Sequence, residues 1–175
     1  IGAANARNLG AETAQEAEIL VFCDGHIIMA KGWLNSLLVT FDEINVSAVC
    51  PGIGPFDPAR PAGYGQTWND QLEIQWLPKT TDIHEVPLIP GACFAIRRSV
   101  FEKVGGFDRG FHSWGYEDVE LSLKLWLFGF NLFVNPAVRI GHKFRRVPPY
   151  AVEPAEFLYN RLRMCICHMN DRRVD

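Results

Sequence analysis

The stretch from residue 19 to residue 26 constrains the fold more than any other part of the sequence. Five apolar residues run directly into Asp24, Gly25 and His26. A short apolar run that ends in such a turn is typical of a buried strand in a parallel sheet. Gly25 lets the chain turn, so that the Asp24 carboxylate and the His26 imidazole can face one metal ion. Taken alone, these three residues favour an ordinary turn with two solvated side chains.

Length and composition predict a single domain. The chain has 175 residues, of which 48% are hydrophobic, enough for one well-buried core and too few for two ordinary domains. Its net charge of -3 provides no basic field for a polyanion, so we expect no nucleic-acid partner. No apolar run approaches the roughly 20 residues that cross a bilayer, so we also expect no membrane span.

The five cysteines are odd in number and form no Cys-x-x-Cys pair. Cys23, Cys50 and Cys93 lie in apolar, strand-like stretches, where reduced thiols are common. This usage predicts a reducing compartment and hence a cytoplasmic localisation. The sequence starts at Ile1 without a Met, in what reads as the approach to a helix, so we expect an N-terminally incomplete chain.

Helical and strand patterns alternate along the chain, which predicts an α/β layer with parallel strands. The predicted helices are residues 3–17, 32–43, 99–104, 117–128 and 154–169. The predicted strands are residues 19–23, 47–50, 91–96 and 132–134, the last of which is expected to stop at Asn135-Pro136. An extended segment is predicted over residues 68–76. Residues 51–65 form either a loop over a ligand face or an irregular connection.

A second histidine near a strand end, His142, completes a candidate metal site with Asp24 and His26. Two imidazoles and one carboxylate suit a divalent ion such as Mn(II), Fe(II) or Zn(II) and leave coordination positions open. A single histidine at a strand end is usually a surface residue, so the prediction depends on the three side chains meeting. Arg145 can pair with a phosphate if the metal also holds phosphates.

Two acids, Glu117 and Asp118, begin the predicted helix 117–128, after a loop that contains Trp114. One interpretation is that their charge stabilises the helix N-terminus, by about 0.3 to 1 kcal/mol per acid. The other is that one acid accepts a proton or hydrogen bond from a substrate hydroxyl while Trp114 packs on a sugar face. On the residues alone, both interpretations stay open.

Several stretches of the sequence match motifs of one enzyme family. Residues 6–11, 20–24 and 32–34 resemble the nucleotide-sugar-binding half of family 2 glycosyltransferases of the GT-A fold. Asp24-Gly25-His26 resembles the Asp-x-His variant of their Asp-x-Asp motif, which is typical of polypeptide N-acetylgalactosaminyltransferases. The stretches 114–118 and 141–145 resemble the Trp-Gly-Gly-Glu-Asn and Gly-His-x-Phe-Arg motifs of those enzymes. Residues 68–78 resemble their segment ending in Trp-x-Pro.

The resemblance implies a fold, a donor and a cofactor. It implies the Rossmann-like GT-A nucleotide-diphospho-sugar transferase fold, with a mixed, mostly parallel sheet flanked by helices. It also implies a hexosyl- or N-acetylhexosaminyltransferase that uses a UDP-sugar donor and a glycan, protein or lipid-linked acceptor. By this resemblance, Asp24, His26 and His142 hold Mn2+ or Mg2+ on the donor pyrophosphate. Arg145 contacts the pyrophosphate, and Arg7 lies near the nucleotide.

The same resemblance predicts how the chain is divided. Residues 1–150 are expected to form a GT-A catalytic domain that lacks its first nucleotide-binding strands, and residues 151–175 a C-terminal helix and tail. Because those strands carry most contacts to uracil and ribose in the family, we expect this chain to bind nucleotide weakly.

Two positions depart from the motifs of the N-acetylgalactosaminyl enzymes. Tyr116 replaces Gly, and Asp118 replaces Asn. The pair Glu117-Asp118 instead resembles inverting family 2 enzymes, in which the Asp is the catalytic base, so inverting and retaining courses both stay open. A non-catalytic domain that binds a sugar or a nucleotide-sugar is an alternative. A non-haem iron oxygenase is disfavoured, because those enzymes favour double-stranded β-helices whereas this chain alternates helices and strands.

Overall fold

The structure is a computed structural model that describes residues 1–43, 45–145 and 153–169. The predicted domain boundary at residue 150 lies outside these residues. The helices are α1 (Ala3–Thr13), α2 (Trp33–Leu38), α3 (Thr40–Glu43), α4 (Arg98–Lys103), α5 (Glu117–Leu127) and α6 (Pro154–His168). The strands are β1 (Ile19–Cys23), β2 (Ile27–Met29), β3 (Ala48–Gly54), β4 (Gln66–Trp68), β5 (Ile74–Trp76), β6 (His84–Glu85), β7 (Cys93–Arg97) and β8 (Leu132–His142).

Six of these strands form one mixed sheet in the order β1-β7-β3-β8-β2, with β6 also paired to β8. Strands β3 and β8 are parallel, whereas β7 is antiparallel to both of its neighbours, β1 and β3. The prediction of a mixed sheet is confirmed, but parallel pairing among the described strands is limited to β3 and β8. The mostly parallel arrangement is wrong because β7 runs opposite to β1 and β3, and because β2 and β6 both pair antiparallel with β8.

Strand β8 runs through the Asn135-Pro136 pair at which we predicted it to stop. Its register against β3 shifts between Pro51 and Gly52, so the chain bulges where Pro136 has no N–H to donate. The Asn135 side chain holds this bulge, since it accepts a hydrogen bond from the Ala137 amide at 3.0 Å and donates one to Thr40 at 2.9 Å. The bulge therefore lets one strand continue to His142.

Other predicted boundaries also differ from the structure. The helix predicted over residues 3–17 ends at Thr13, and the helix predicted over 32–43 is divided at Val39 into α2 and α3. The extended segment 68–76 belongs to a hairpin of β4 and β5. Its turn forms because the Asn69 side chain accepts hydrogen bonds from two amides of the turn, while Leu72 takes the left-handed conformation with φ 59°.

Apolar side chains cover both faces of the sheet. On one face, Phe22 and Phe94 pack at a centroid distance of 5.1 Å, within a cluster that includes residues of α1, α4, α5 and α6. On the other face, Val49 and Ala95 pack with Leu37 and Phe41 of α2 and α3. Among the described residues, no helix has both the length and the apolarity to cross a bilayer. This packing fixes the ends of β1 and β8, where the candidate ligands lie.

Candidate metal and substrate site

Asp24, His26 and His142 meet at the ends of β1, β2 and β8. Their potential ligand atoms all lie within 4.8 Å of one another. Asp24 continues the β1–β7 ladder by donating its amide hydrogen bond to Ala92 at 3.0 Å. The chain then turns into β2, whose residue Ile27 is paired with His142. Antiparallel pairing of β2 with β8 therefore places His142 beside Asp24 and His26, which lie more than a hundred residues earlier in the chain.

The three side chains fit a divalent cation. His142 Nε2 lies 3.2 Å from Asp24 Oδ2, and the rings of His26 and His142 are 4.6 Å apart at their centroids. His142 Nδ1 is buried and has no hydrogen-bond partner among the described residues. A buried nitrogen without a partner is unfavourable, and two imidazoles with one carboxylate are a donor set that Mn(II), Fe(II) and Zn(II) accept. The cluster therefore has the donor atoms that a divalent cation accepts, and one of its nitrogens has no hydrogen-bond partner among the described residues.

Local charges favour the protonation states that bind metals. Burial opposes ionisation of Asp24, but the hydrogen bond from His142 and the positive charge of Arg7 lower the pKa of its carboxyl below the ordinary value. Burial, together with the charge of His142, lowers the pKa of His26. An ionised carboxylate and a neutral imidazole are the forms that ligate cations.

Arg7 connects this cluster to the start of α5. Its guanidinium lies 3.1 Å from Asp24 Oδ1 and 2.9 Å from Glu117 Oε1, and it donates a further hydrogen bond to the carbonyl of Gly91 at 3.0 Å. Burial works to lower the pKa of Arg7, but the charges of Glu117, Asp118 and Asp24 raise it. Arg7 was predicted to lie near the nucleotide. In the structure its guanidinium donates hydrogen bonds to three acceptors of the protein itself.

Glu117 and Asp118 are held by backbone amides. Glu117 is 4% exposed, and its Oε2 accepts a hydrogen bond from the amide of Gly115 at 2.8 Å. Asp118 Oδ2 accepts from the amide of Gly91 at 2.6 Å, and its Oδ1 accepts from Val119 at 2.9 Å. Burial and the adjacent Glu117 charge raise the pKa of Asp118 to about 6. Asp118 is thus a carboxyl group that changes protonation state near neutral pH.

The departure at Tyr116 has a structural explanation. Tyr116 is the residue before α5 and adopts φ 66°, in the left-handed region that favours glycine. Its hydroxyl donates a hydrogen bond to the carbonyl of Leu72 at 3.1 Å, and its ring lies 5.0 Å from that of Phe157. The β4–β5 hairpin and α6 therefore anchor the larger side chain in a conformation that a glycine adopts without strain.

A cleft of about 580 Å³ lies beside the metal cluster. Its lining includes six of the predicted site residues, namely Arg7, Asp24, Trp114, Glu117, Asp118 and His142. His26 adjoins the cleft through its contact with His142. Arg145 is exposed and is not part of this lining, although its charge contributes to the lowered pKa of His26.

The site predictions omitted an aromatic wall of the cleft, formed by Trp76, Phe144 and Phe157. Trp76 and Phe144 lie within the stretches that resemble family motifs, so the motifs themselves were a usable signal. Phe157 and Arg161 also line the cleft from α6, where they lie four residues apart on one helix face. Trp114 is 46% exposed and its ring stacks on Phe157 at 6.0 Å, so it presents an aromatic face at the cleft.

The loop that carries Trp114 is fastened to α6 by Asn160, which is fully buried. The Asn160 amide nitrogen donates to the carbonyls of His112 at 2.7 Å and Gly115 at 3.0 Å. Its oxygen accepts a hydrogen bond from the amide of His112 at 2.8 Å. The Asn160 side chain therefore forms hydrogen bonds with backbone groups at both ends of the loop.

The sheet, the ligand cluster and the cleft together define a GT-A glycosyltransferase fold. The family model described as "Glycosyl transferase family 2" matches residues 2–105, and the chain belongs to this family. A second model, "N-terminal domain of galactosyltransferase", matches residues 67–147. The two matches together cover the metal cluster, the acid pair and the hairpin.

Two curated proteins are similar to this chain in sequence. Polypeptide N-acetylgalactosaminyltransferase 8 of Drosophila melanogaster is 36% identical over 83% of this chain and 26% of its own length. Probable N-acetylgalactosaminyltransferase 8 of Caenorhabditis elegans is 33% identical over 84% of this chain and 39% of its own length. The chain thus spans well under half of these curated relatives.

Two solved glycosyltransferase structures have folds similar to that of this chain. The crystal structure of GalNAc-T7 with UDP, GalNAc and Mn2+ has a TM-score of 0.81 and is 26% identical, covering 94% of this chain and 35% of that chain. The mannosyltransferase PcManGT from Pyrobaculum calidifontis, in complex with GDP-Man and Mn2+, has a TM-score of 0.57 at 20% identity and covers 95% of this chain and 42% of that chain. The second likeness supports the fold alone.

Proposed function

We propose that the chain is the metal- and acceptor-binding part of an enzyme that transfers a sugar from a UDP-sugar to an acceptor hydroxyl. The observation that carries the proposal is the convergence of Asp24, His26 and His142 within 4.8 Å beside a cleft that also contains Glu117 and Asp118. The two relatives named as N-acetylgalactosaminyltransferases favour N-acetylgalactosamine as the sugar. The Drosophila relative, which is named as a polypeptide N-acetylgalactosaminyltransferase, favours a protein as the acceptor. The GalNAc-T7 structure supports UDP and Mn2+.

Asp24, His26 and His142 are the residues that would hold the metal. When bound, a divalent cation supplies positive charge that stabilises the diphosphate leaving group without a proton transfer. Arg7 keeps the Asp24 carboxylate ionised and in place through its 3.1 Å ion pair. Arg145, which is exposed beyond His142, provides a further cation for a phosphate oxygen.

Asp118 is the proposed acceptor base. A base works best when its pKa lies near the working pH, and the pKa of Asp118 is raised to about 6. Each of its oxygens accepts one backbone hydrogen bond, which leaves a second lone pair per oxygen for a substrate hydroxyl. Attack by the deprotonated hydroxyl in one displacement would invert the anomeric carbon. A retained product configuration, measured by NMR, would exclude this role.

The direct test is sugar transfer by the full-length protein. With Mn2+, UDP-N-acetylgalactosamine and a peptide containing Ser and Thr, we expect transfer by the unmodified protein and its loss in His26→Ala. The matched control is His84→Ala, because His84 lies on β6, outside the residues that line the cleft. Full activity of His26→Ala would remove this residue from the site. Donor binding without any transfer by the unmodified protein would favour a non-catalytic binding domain.

A further inference from the structure

Two cysteines face each other directly beside the metal cluster. Cys23 is the last residue of β1 and Cys93 is the first residue of β7, and the two are paired in the antiparallel register. Their sulfur atoms lie 3.5 Å apart. Cys23 precedes Asp24, so the pair lies one residue from a candidate ligand but is not part of the candidate ligand set.

The backbone geometry at this pair suits a covalent bond. The hydrogen bond from the Asp24 amide to the Ala92 carbonyl flanks the pair, which makes Cys23 and Cys93 a non-hydrogen-bonded pair of the ladder. Cα atoms in such pairs are about 4.5 Å apart, within the range of about 4.4 to 6.8 Å that disulfides span. Bond formation therefore needs the sulfurs to approach each other without separating or sliding the strands.

The two thiols differ in their access to solvent. Strand β1 is an edge of the sheet, and Cys23 is exposed there, whereas Cys93 is fully buried. An oxidant in solution therefore reaches Cys23 first, while Cys93 is in place to react with whatever forms on Cys23. The remaining cysteines are arranged less favourably, since Cys50 is buried and Cys165 and Cys167 are two residues apart on α6, a spacing at which side chains do not face each other.

We propose that Cys23 and Cys93 form a reversible disulfide modification site whose oxidant is a small-molecule disulfide such as oxidised glutathione. The Cys23 thiolate attacks one sulfur of oxidised glutathione, which breaks the S–S bond and releases one glutathione thiolate. The Cys93 thiolate then attacks the Cys23 sulfur of the mixed disulfide and releases the second glutathione. The two cysteine protons pass to the two glutathiones, so the protein is oxidised by two electrons and two glutathiones are produced.

The experiment is disulfide mapping of the full-length folded protein after incubation with oxidised glutathione. Free thiols are alkylated, the protein is digested, and peptides are identified by mass spectrometry with and without reduction. We expect one linked peptide pair that joins Cys23 to Cys93 and disappears on reduction. If both thiols stay alkylatable, or if Cys23 joins a different cysteine, the proposal is wrong.

Variants separate the two chemical steps. Cys93→Ala should stop at the mixed disulfide, with one glutathione retained on Cys23, whereas Cys23→Ala should leave the buried Cys93 unmodified. The matched control is Cys167→Ser, which removes an exposed thiol on α6 and should form the Cys23–Cys93 bond as the unmodified protein does. A mixed disulfide that persists on Cys23 in the unmodified protein would overturn the second step. Mapping in the unmodified protein decides the proposal even if a variant fails to fold.

Discussion

Two neighbouring parts of the cleft lining, the start of α5 (the α5 end) and the metal cluster (the metal end), hold their acidic groups in different ways. At the α5 end, Glu117 and Asp118 use all four carboxylate oxygens, one on Arg7 and three on backbone amides. At the metal end, Asp24 is paired with Arg7 and His142, and the buried His142 Nδ1 has no partner among the described residues. Each oxygen of the acid pair therefore has a partner within the fold, and Asp118 keeps a lone pair on each oxygen for a substrate hydroxyl, whereas the metal cluster contains a buried nitrogen that has no partner among the described residues.

This difference indicates which changes should disturb folding and which should disturb binding. Removal of a partner from the acid pair leaves a buried charge without compensation, which costs stability. Removal of a side chain from the metal cluster mainly removes a ligand. Arg7 belongs to both ends, since it bonds to Asp24 and to Glu117, and it should therefore show the largest effect.

Arg7→Met should destabilise the protein by about 3 to 5 kcal/mol, the usual cost of breaking a buried ion pair from one side. The reason is that Glu117, whose side chain is 5% exposed, would lose the one charged partner that it has among the described residues. The measurement is the free energy of unfolding by urea titration. Arg109→Met is the control, because the Arg109–Glu12 pair is exposed and such pairs contribute about 0 to 1 kcal/mol. Equal losses in the two variants would mean that the acid pair is not held as described.

His142→Ala should weaken binding of Mn2+ alone by more than about 100-fold, or about 2.7 kcal/mol. Loss of residues that only orient ligands already costs about 10- to 100-fold, and His142 is a proposed ligand. The measurement is calorimetric titration of the folded protein with Mn2+, with His84→Ala as the control. Unchanged affinity in a variant with a native circular dichroism spectrum would contradict the assignment of the metal end.

Asp118→Asn should change how stability depends on pH. The pKa of Asp118 is about 6 in the folded protein, against an ordinary value of about 3.9, so folding favours its protonated form. Its contribution to stability is present at low pH and is lost as the pH rises through 6. Because asparagine resembles the protonated form, the stability of the unmodified protein relative to the variant should fall by about 2 kcal/mol between pH 4.5 and pH 7.5.

Unfolding titrations at the two pH values measure this change. Arg109→Met serves as the control, because it leaves the carboxyl groups of the cleft in place and should follow the pH dependence of the unmodified protein. A relative stability of Asp118→Asn that does not change with pH would show that the Asp118 carboxyl is solvated like an ordinary surface acid.

The features that the sequence predicted well are local. The five-residue strand β1 has the predicted bounds, and α5 begins at the predicted Glu117, because an apolar run before an acid and a loop before paired acids are signals carried by neighbouring residues. The convergence of Asp24, His26 and His142 was predicted through the family motifs, since spacing alone cannot bring residue 142 beside residue 24.

The features that the sequence did not predict depend on contacts between distant segments. An apolar stretch such as residues 93–96 carries no information on strand direction, so β7 was not expected to run antiparallel to its neighbours. The Gly91 amide that binds Asp118, and Phe157 in the cleft wall, have no local signature. Cytoplasmic localisation stays a prediction.

The Asn160 contact has a consequence for the order in which the cleft is assembled. The loop 112–115 precedes Asn160 by more than forty residues, yet the Asn160 side chain satisfies groups at both ends of that loop. During synthesis, domains acquire their structure as the chain leaves the ribosome from its N-terminus. The metal cluster can form once β8 has emerged, but the loop that carries Trp114 must wait for α6, so this part of the cleft is completed last.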